Sequence, residues 1–246
     1  MQSFDSAQDR GKPPHQPGWC GGKLSVVATP IGNLEDITLR ALRTLKEASI
    51  IYCEDTRVTS KLLSRYEIHT PLRRLDANIE KTRAKEVIDR LVDGAQIAYV
   101  TDAGTPGISD PGVLLVAAVR QALGDSFPIE AIPGPSALAA ALSVAGVRTD
   151  SFLFLGFLPH KKGRQTLLKK IATTDEAVVL YESTHRIMKL LLELDKAAPH
   201  RQVVVLRELT KKFENVQIGK PWHVHEYFSK FPVQTKGEFV VIVEGA

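Results

Sequence analysis

Residues able to do chemistry without bulk concentrate in two stretches, VTDAGTPGISDPG (Val100 to Gly112) and IPGPSA (Ile132 to Ala137). Gly104, Gly107, Gly134 and Ala137 let a ligand approach the backbone closely, while Asp102, Thr105, Ser109 and Ser136 supply donors and acceptors beside it. Each stretch follows an apolar run and precedes a helical one. In open α/β sheets that is where ligands bind, beyond the carboxyl ends of the strands. One such loop reads equally well as turn punctuation; two at consecutive strand ends point to one wall of a cleft. Neither fits the GxxxxGK[ST] phosphate loop, and no GxGxxG follows the first strand, which disfavours ordinary nucleotide hydrolysis and dinucleotide redox chemistry. The first strand ends instead in ATPIGN, whose Thr29, Pro30, Gly32 and Asn33 form a third loop able to face the same cleft.

The elements that must position these loops alternate as a parallel sheet with crossover helices requires. LSVVAT, SIIYC, QIAYVT and FPIEAI read as strands. Between them a helix over residues 37–48 is expected, capped by Asp36, then helical segments over 58–66 and 79–92, the latter ended by Gly94 at a left-handed position. Asp110-Pro111 reads as the cap and first residue of a helix running to Gly124, and Pro135 as the opening of the small-residue helix SALAAALSVAG. After a polar break at residues 148–151, FLFLGFL, AVVLYE, QVVVLREL and EFVVIVEG read as four further strands. The expectation is an α/β protein of two α/β domains, residues 23–145 and 146–246, preceded by a disordered extension over 1–22 that is rich in glycine, proline and polar residues.

Composition bounds the partners. The formal charge of +4 suits a polyanion but is also common on plain soluble surfaces. Cys20 and Cys53 lie far apart with no CxxC or histidine-rich surroundings, so no zinc site, no metal and no disulfide framework are expected, and a reducing cytoplasm fits. No apolar run approaches the roughly 18 residues that span a bilayer.

The motifs VATPIGNLEDITLRAL, CEDTR, VTDAGTPGISDPG, IPGPSALAAALS, FLFLGFLP, YESTHR and RELTKKFE, in that order, resemble the small-subunit ribosomal RNA cytidine 2′-O-methyltransferase family across essentially residues 23 to 246. The resemblance implies the tetrapyrrole-methylase fold, with S-adenosylmethionine in a cleft between the two domains, a homodimer, and a cytidine in the decoding region of 16S ribosomal RNA as substrate. ATPIGN and AGTP stand where the tetrapyrrole enzymes carry GxGxGDP and GDP, and Thr184 replaces the proline more typical of YESTHR. Carried over by motif, the cofactor contacts fall on Pro30, Asp102, Gly104, Thr105, Ile108, Ser136, Ala137, Tyr181, Leu206 and Gly237. Asp102 or Tyr181 could face the sulfonium, and Asp102 could equally bond its own loop.

A ribose hydroxyl is so weakly acidic that methylating it calls for a base or nearby positive charge. Glu54, Asp55, Glu182 and His185 are the candidates, each of which could instead belong to a structural ion-pair network. Arg57, Lys61 and Arg65 recur every four residues and would form one basic helical stripe; Lys161, Lys162 and Arg164 add a second cluster and Arg186 a further RNA candidate, though a solvated face is the usual fate of such charges. Two other readings compete: a small-molecule tetrapyrrole methylase, and a noncatalytic RNA-binding ribosome assembly factor.

Overall fold

The computed structural model describes residues 21–77 and 79–245. The extension expected over 1–22 therefore lies outside the described residues, except for Gly21 and Gly22. Ten strands form two five-stranded sheets among the described residues. The first contains β1 (Lys23–Val27), β2 (Ile50–Cys53), β3 (Leu72–Arg74), β4 (Gln96–Val100) and β5 (Ile129–Ile132) in the order β3-β2-β4-β1-β5, with every pair parallel. Its central strands are apolar on both faces, as a sheet covered on both sides must be. Ile51, Cys53, Ala98 and Val100 meet α1 (Leu39–Glu47) and α2 (Thr56–Arg65), while Tyr52, Ile97 and Tyr99 meet α3 (Glu80–Val92) and α4 (Val113–Leu123). Because all five strands run the same way, the loops after β1, β2, β4 and β5 emerge along one edge.

The second sheet is mixed, in the order β6-β7-β10-β8-β9: β6 (Phe152–Phe157), β7 (Ala177–Ser183), β8 (Val203–Arg207), β9 (Asn215–Gly219) and β10 (Glu238–Val243). Side chains alternate across β10. Phe239, Val241 and Val243 join the core under α6 (Arg164–Thr173), α7 (Ile187–Ala197) and α8 (Pro221–Lys230), whereas Val240 and Ile242 face the other way. That second face is covered by α5 (Ala137–Val144), the helix that follows IPGPS. Ala141 and Ala145, both fully buried, let α5 settle closely on Val179, Leu206 and Val240. The small-residue helix thus joins the two sheets, and its N-terminus arrives at the cleft.

Gly94, at φ +90°, closes α3 as expected: its N–H donates to the Leu91 carbonyl and the Ala95 N–H to that of Arg90, the paired bonds of a Schellman motif. Asp36 is not the cap of α1. It ends a short 3-10 turn (Leu34–Asp36), and Thr38 accepts from the Ala41 N–H at 3.1 Å. Nor does Asp110 cap α4, which begins after Gly112 at φ +122°. There Glu80, buried in the first turn of α3, accepts from the N–H groups of Gly112 at 3.0 Å and Leu115 at 2.7 Å. Pro135 precedes α5 by two residues, and Ser136 stands at its cap. Two strands went unread: β3 has only three residues, and β9 is an edge strand with Val216 and Ile218 exposed.

Candidate functional site

Three loops of the first sheet are tied together before they meet the second. Thr29 and Gly104 exchange backbone hydrogen bonds of 2.9 and 3.0 Å, and the Thr29 hydroxyl donates to the Thr101 carbonyl at 3.2 Å. The Thr105 hydroxyl donates to the Pro135 carbonyl at 3.1 Å. Gly104, at φ +77°, makes the turn on which both ties depend. On the far side, the Asn33 N–H donates to the Thr210 hydroxyl at 3.1 Å, and a Cβ on Gly32 would stand 2.4 Å from Lys211 Cγ and 2.8 Å from Thr210 Oγ1. That glycine is where the ATPIGN loop touches the loop after β8.

The loops and the second sheet enclose a cleft of about 260 Å³. Gly104, Thr105, Ile108, Ser136 and Ala137 line it from the first sheet, and Tyr181, Glu182 and Leu206 line it from the ends of β7 and β8. Sequence reasoning singled out each of these eight. Pro30, Asp102 and Gly237 are not in the lining. Pro30 is buried next to Ile31, which is lined up in its place; Asp102 turns away to accept from the Asp55 N–H at 3.0 Å; Gly237 bonds Thr184 at 2.7 Å. Ser109 and Lys211, polar candidates of the same motifs, line it as well, and the residues missed include Ile31, Asp110, Phe157, Glu238 and Val240. Asp110 carried a signal, a carboxylate inside a loop already suspected, but its aspartate-proline pairing suggested a helix cap.

Carboxylates dominate the polar lining. Glu182 is 1 % exposed; its Oε1 accepts from the Ser183 N–H at 2.9 Å and pairs with Arg186 Nε at 3.1 Å, while its Oε2 has no hydrogen-bond partner. Burial raises its pKa against the pull of Ser183 and Arg186. Glu238 pairs with Lys211 at 2.8 Å, and Lys211 also holds Glu208 at 3.0 Å. The carboxyl of Asp110 is pushed up to about 6, first by burial and then by the charges of Glu54, Asp102 and Glu238. Burial also raises Tyr181, whose ring meets Phe154 and the half-exposed Phe157 edge-on at 5.0 and 5.7 Å.

The remaining candidates stand around the rim. Glu54 and Asp55 follow β2 outside the lining; burial, then Asp102, raises Glu54. Asp55 caps α2 through the Arg57 N–H at 2.8 Å and pairs with the Arg57 guanidinium at 2.6 Å, whose hydrogen bonds hold its carboxyl down at about 2. His185 is exposed and outside the lining. Arg57, Lys61 and Arg65 are all exposed along α2, a stripe of roughly 12 Å at the ordinary helical rise that starts beside the cleft. Lys161 and Lys162 are exposed before α6, but Arg164 does not join them: it is buried and pairs with Glu193 at 2.6 Å, and Arg186 turns inward to Glu182 and the Leu158 carbonyl. No helix among the described residues is long and apolar enough to cross a membrane.

The fold has counterparts among solved structures. The solved uroporphyrin-III C-methyltransferase of Thermus thermophilus, in complex with S-adenosylhomocysteine, superposes with a TM-score of 0.63 at 18 % identity, over 91 % of this chain and 97 % of that one. Residues 23–221 match the family described as Tetrapyrrole (Corrin/Porphyrin) Methylases. The fold and the sequence together define a methyltransferase, and the chain belongs to the tetrapyrrole methylase family. Within it, the chain is similar to the ribosomal RNA small subunit methyltransferase I of Borrelia garinii subsp. bavariensis, at 45 % identity over 89 % of this chain and 97 % of that protein. It is 40 % identical to the Thermotoga maritima protein of the same name, over 91 % and 99 %.

Proposed function

We propose that this chain uses S-adenosylmethionine to methylate the ribose 2′-hydroxyl of a cytidine in the decoding region of 16S ribosomal RNA, working as a homodimer in the cytoplasm. The observation that carries the reading is 45 % identity along 97 % of a relative named as a small-subunit ribosomal RNA methyltransferase, in a chain whose cleft suits the cofactor. A sulfonium is cationic, and the buried, unpartnered Oε2 of Glu182 together with the Asp110 carboxyl give the cleft the opposite sign. Ile31, Leu206 and Val240 give an apolar wall for an adenosyl group, and Gly104 and Ala137 leave backbone open to polar contact.

When bound, the cofactor supplies a methyl group on a positively charged sulfur. The residues of this chain do the rest. Gly104, Thr105, Ile108, Ser136, Ala137, Tyr181 and Leu206 hold and orient it, with Pro30, Asp102 and Gly237 supporting the loops from behind. Arg57, Lys61 and Arg65 meet phosphates along the rim, positioning RNA without reading its sequence. Phe157 offers a half-exposed ring at the mouth, the kind of surface on which an unstacked base rests.

The test is transfer of label from methyl-tritiated cofactor to isolated small ribosomal subunits lacking the modification, with the product located by nuclease digestion and mass spectrometry. Label on a cytidine ribose supports the reading. Label only on porphyrin-like acceptors, or RNA binding with no transfer at all, overturns it.

A further inference from the structure

Methyl transfer to a sugar hydroxyl needs somewhere to put a proton, and the cleft narrows the choice. Three carboxylates line it: Asp110, Glu182 and Glu238. Glu182 is buried behind the surface and held by Arg186 and Ser183; Glu238 is neutralised by Lys211. Asp110 is different, because no hydrogen bond or ion pair among the described residues engages its carboxyl. Outside the lining, Asp55 is committed to Arg57, Asp102 to the Asp55 N–H, and His185 is exposed to solvent.

The backbone around Asp110 is built for placement. Ser109 sits at φ +65°, a left-handed conformation uncommon for serine. Its side chain meets the second sheet. A Cβ on Gly156 of β6 would stand 2.6 Å from the Ser109 Oγ, so a larger residue there would have to displace that hydroxyl. Gly156 itself is at φ +59°, where the β6-β7 register slips between Phe154 and Gly156. A bulge in the second sheet thus receives a strained residue of the first, and the next side chain in the loop is Asp110.

We infer that Asp110 is the general base: a catalytic residue whose carboxylate accepts the 2′-hydroxyl proton as methyl transfer occurs. The inference rests on the methyl-transfer reading of the cleft. The hydroxyl oxygen forms its bond to the methyl carbon while the carbon–sulfur bond breaks, leaving its electron pair on sulfur, and the hydroxyl proton passes to Asp110. One carboxylate and one sulfonium are consumed; a carboxylic acid and a neutral thioether result. The groups that face Asp110 are Glu54 after β2, Tyr99 of β4, Asp102 of its own loop, Tyr181 and Glu182 of β7, Lys211 after β8 and Glu238 of β10. The acidic majority, together with burial, brings the carboxyl to about 6, close to the pH at which a base is best matched to its work.

The variant is Asp110→Asn, compared with wild type in three measurements. In single-turnover transfer to small ribosomal subunits, the wild-type rate is expected to rise with unit slope up to about pH 6 and level off. The variant should be slower by about a hundredfold or more, without that slope. Calorimetric binding of S-adenosylhomocysteine should stay within about threefold of wild type, since the thioether has lost the charge that Asp110 would sense. Thermal melts without cofactor give a readout independent of activity. An aspartate whose folded pKa is raised costs stability above that pKa, so the variant should melt above wild type at pH 8, the gap closing as pH falls through 6 towards 4. An active wild type with an Asn variant within fivefold of its rate overturns the inference and leaves the proposed function standing. So does a melting gap that does not change with pH. A wild type that binds S-adenosylhomocysteine and methylates no RNA overturns the proposed function, and the base assignment with it.

Discussion

Glu80→Ala should be among the most damaging single substitutions in this chain, although Glu80 touches no ligand. Its Oε1 accepts from two backbone N–H groups, at 3.0 Å from Gly112 and 2.7 Å from Leu115, and all three residues are buried. Leaving a buried donor unpaired costs about 1–3 kcal/mol, so two such donors and the lost side-chain packing bring the expected loss to about 4 kcal/mol. Against a usual total of about 5–15 kcal/mol that is a large fraction, equivalent to a fall in Tm of about 10 °C. Glu80→Gln keeps a carbonyl oxygen able to accept the same two bonds and should lose only about 1 kcal/mol. Urea denaturation followed by circular dichroism measures both through the midpoint, with the slope m unchanged. Function should follow stability only partly. Gly112 ends the loop that carries Gly104, Thr105 and Asp110, so loosening the start of α4 should weaken S-adenosylhomocysteine binding at temperatures where the Ala variant is still folded. An Ala variant within 1 kcal/mol of wild type, or one destabilised by as little as the Gln variant, would refute the claim that one side chain caps two buried donors across helices.

Gly32→Val should separate the ATPIGN loop from Thr210 and Lys211, where a Cβ has only 2.4 to 2.8 Å of room; cofactor affinity is expected to fall about tenfold or more, measured by calorimetry, with the melting temperature of the chain little changed. Ser136→Trp should fill the cleft beside Ala137 and abolish binding of S-adenosylhomocysteine while the chain stays folded, since Ser136 is partly exposed at the cap of α5; normal binding by this variant would misplace the cofactor. Lys61→Ala on the rim stripe is expected to reduce the salt slope of RNA binding by about one and to leave cofactor binding alone. Arg57→Ala has a second signature in acid. The carboxyl of Asp55, held at about 2 mainly by Arg57, contributes stability that is present above its ordinary value and lost as pH falls from about 4 towards 2; without Arg57, carbon-detected NMR should show Asp55 titrating higher, and that stability should be lost earlier as acid is added.

What could be read in the sequence, and what could not, divides by the range of the interaction. Periodicity found every strand that is buried on both faces, such as IIYC and QIAYV, because continuous burial leaves a continuous apolar run. It passed over LRR of β3 and NVQIG of β9, which stand at sheet edges where half the side chains meet water. The glycine- and proline-rich loops disclosed Gly104, Thr105, Ser109, Ser136 and Ala137, since backbone that must lie open to a ligand leaves its mark in local composition. The polar residues behind those loops were legible only as types. Asp110 sits beside a proline in a pattern that ordinarily starts a helix, and what displaced it from that role is Glu80, thirty residues away in sequence and unmistakable only when α3 lies against α4. Asp55 and Arg57 lie two residues apart and were read as a proton acceptor and a phosphate ligand, when the shorter path for each was to the other. Long-range capping and short-range pairing therefore act together to choose the free carboxylate: the acids that find a partner are removed from the chemistry, and the one whose cap was supplied from another helix is left facing the cleft.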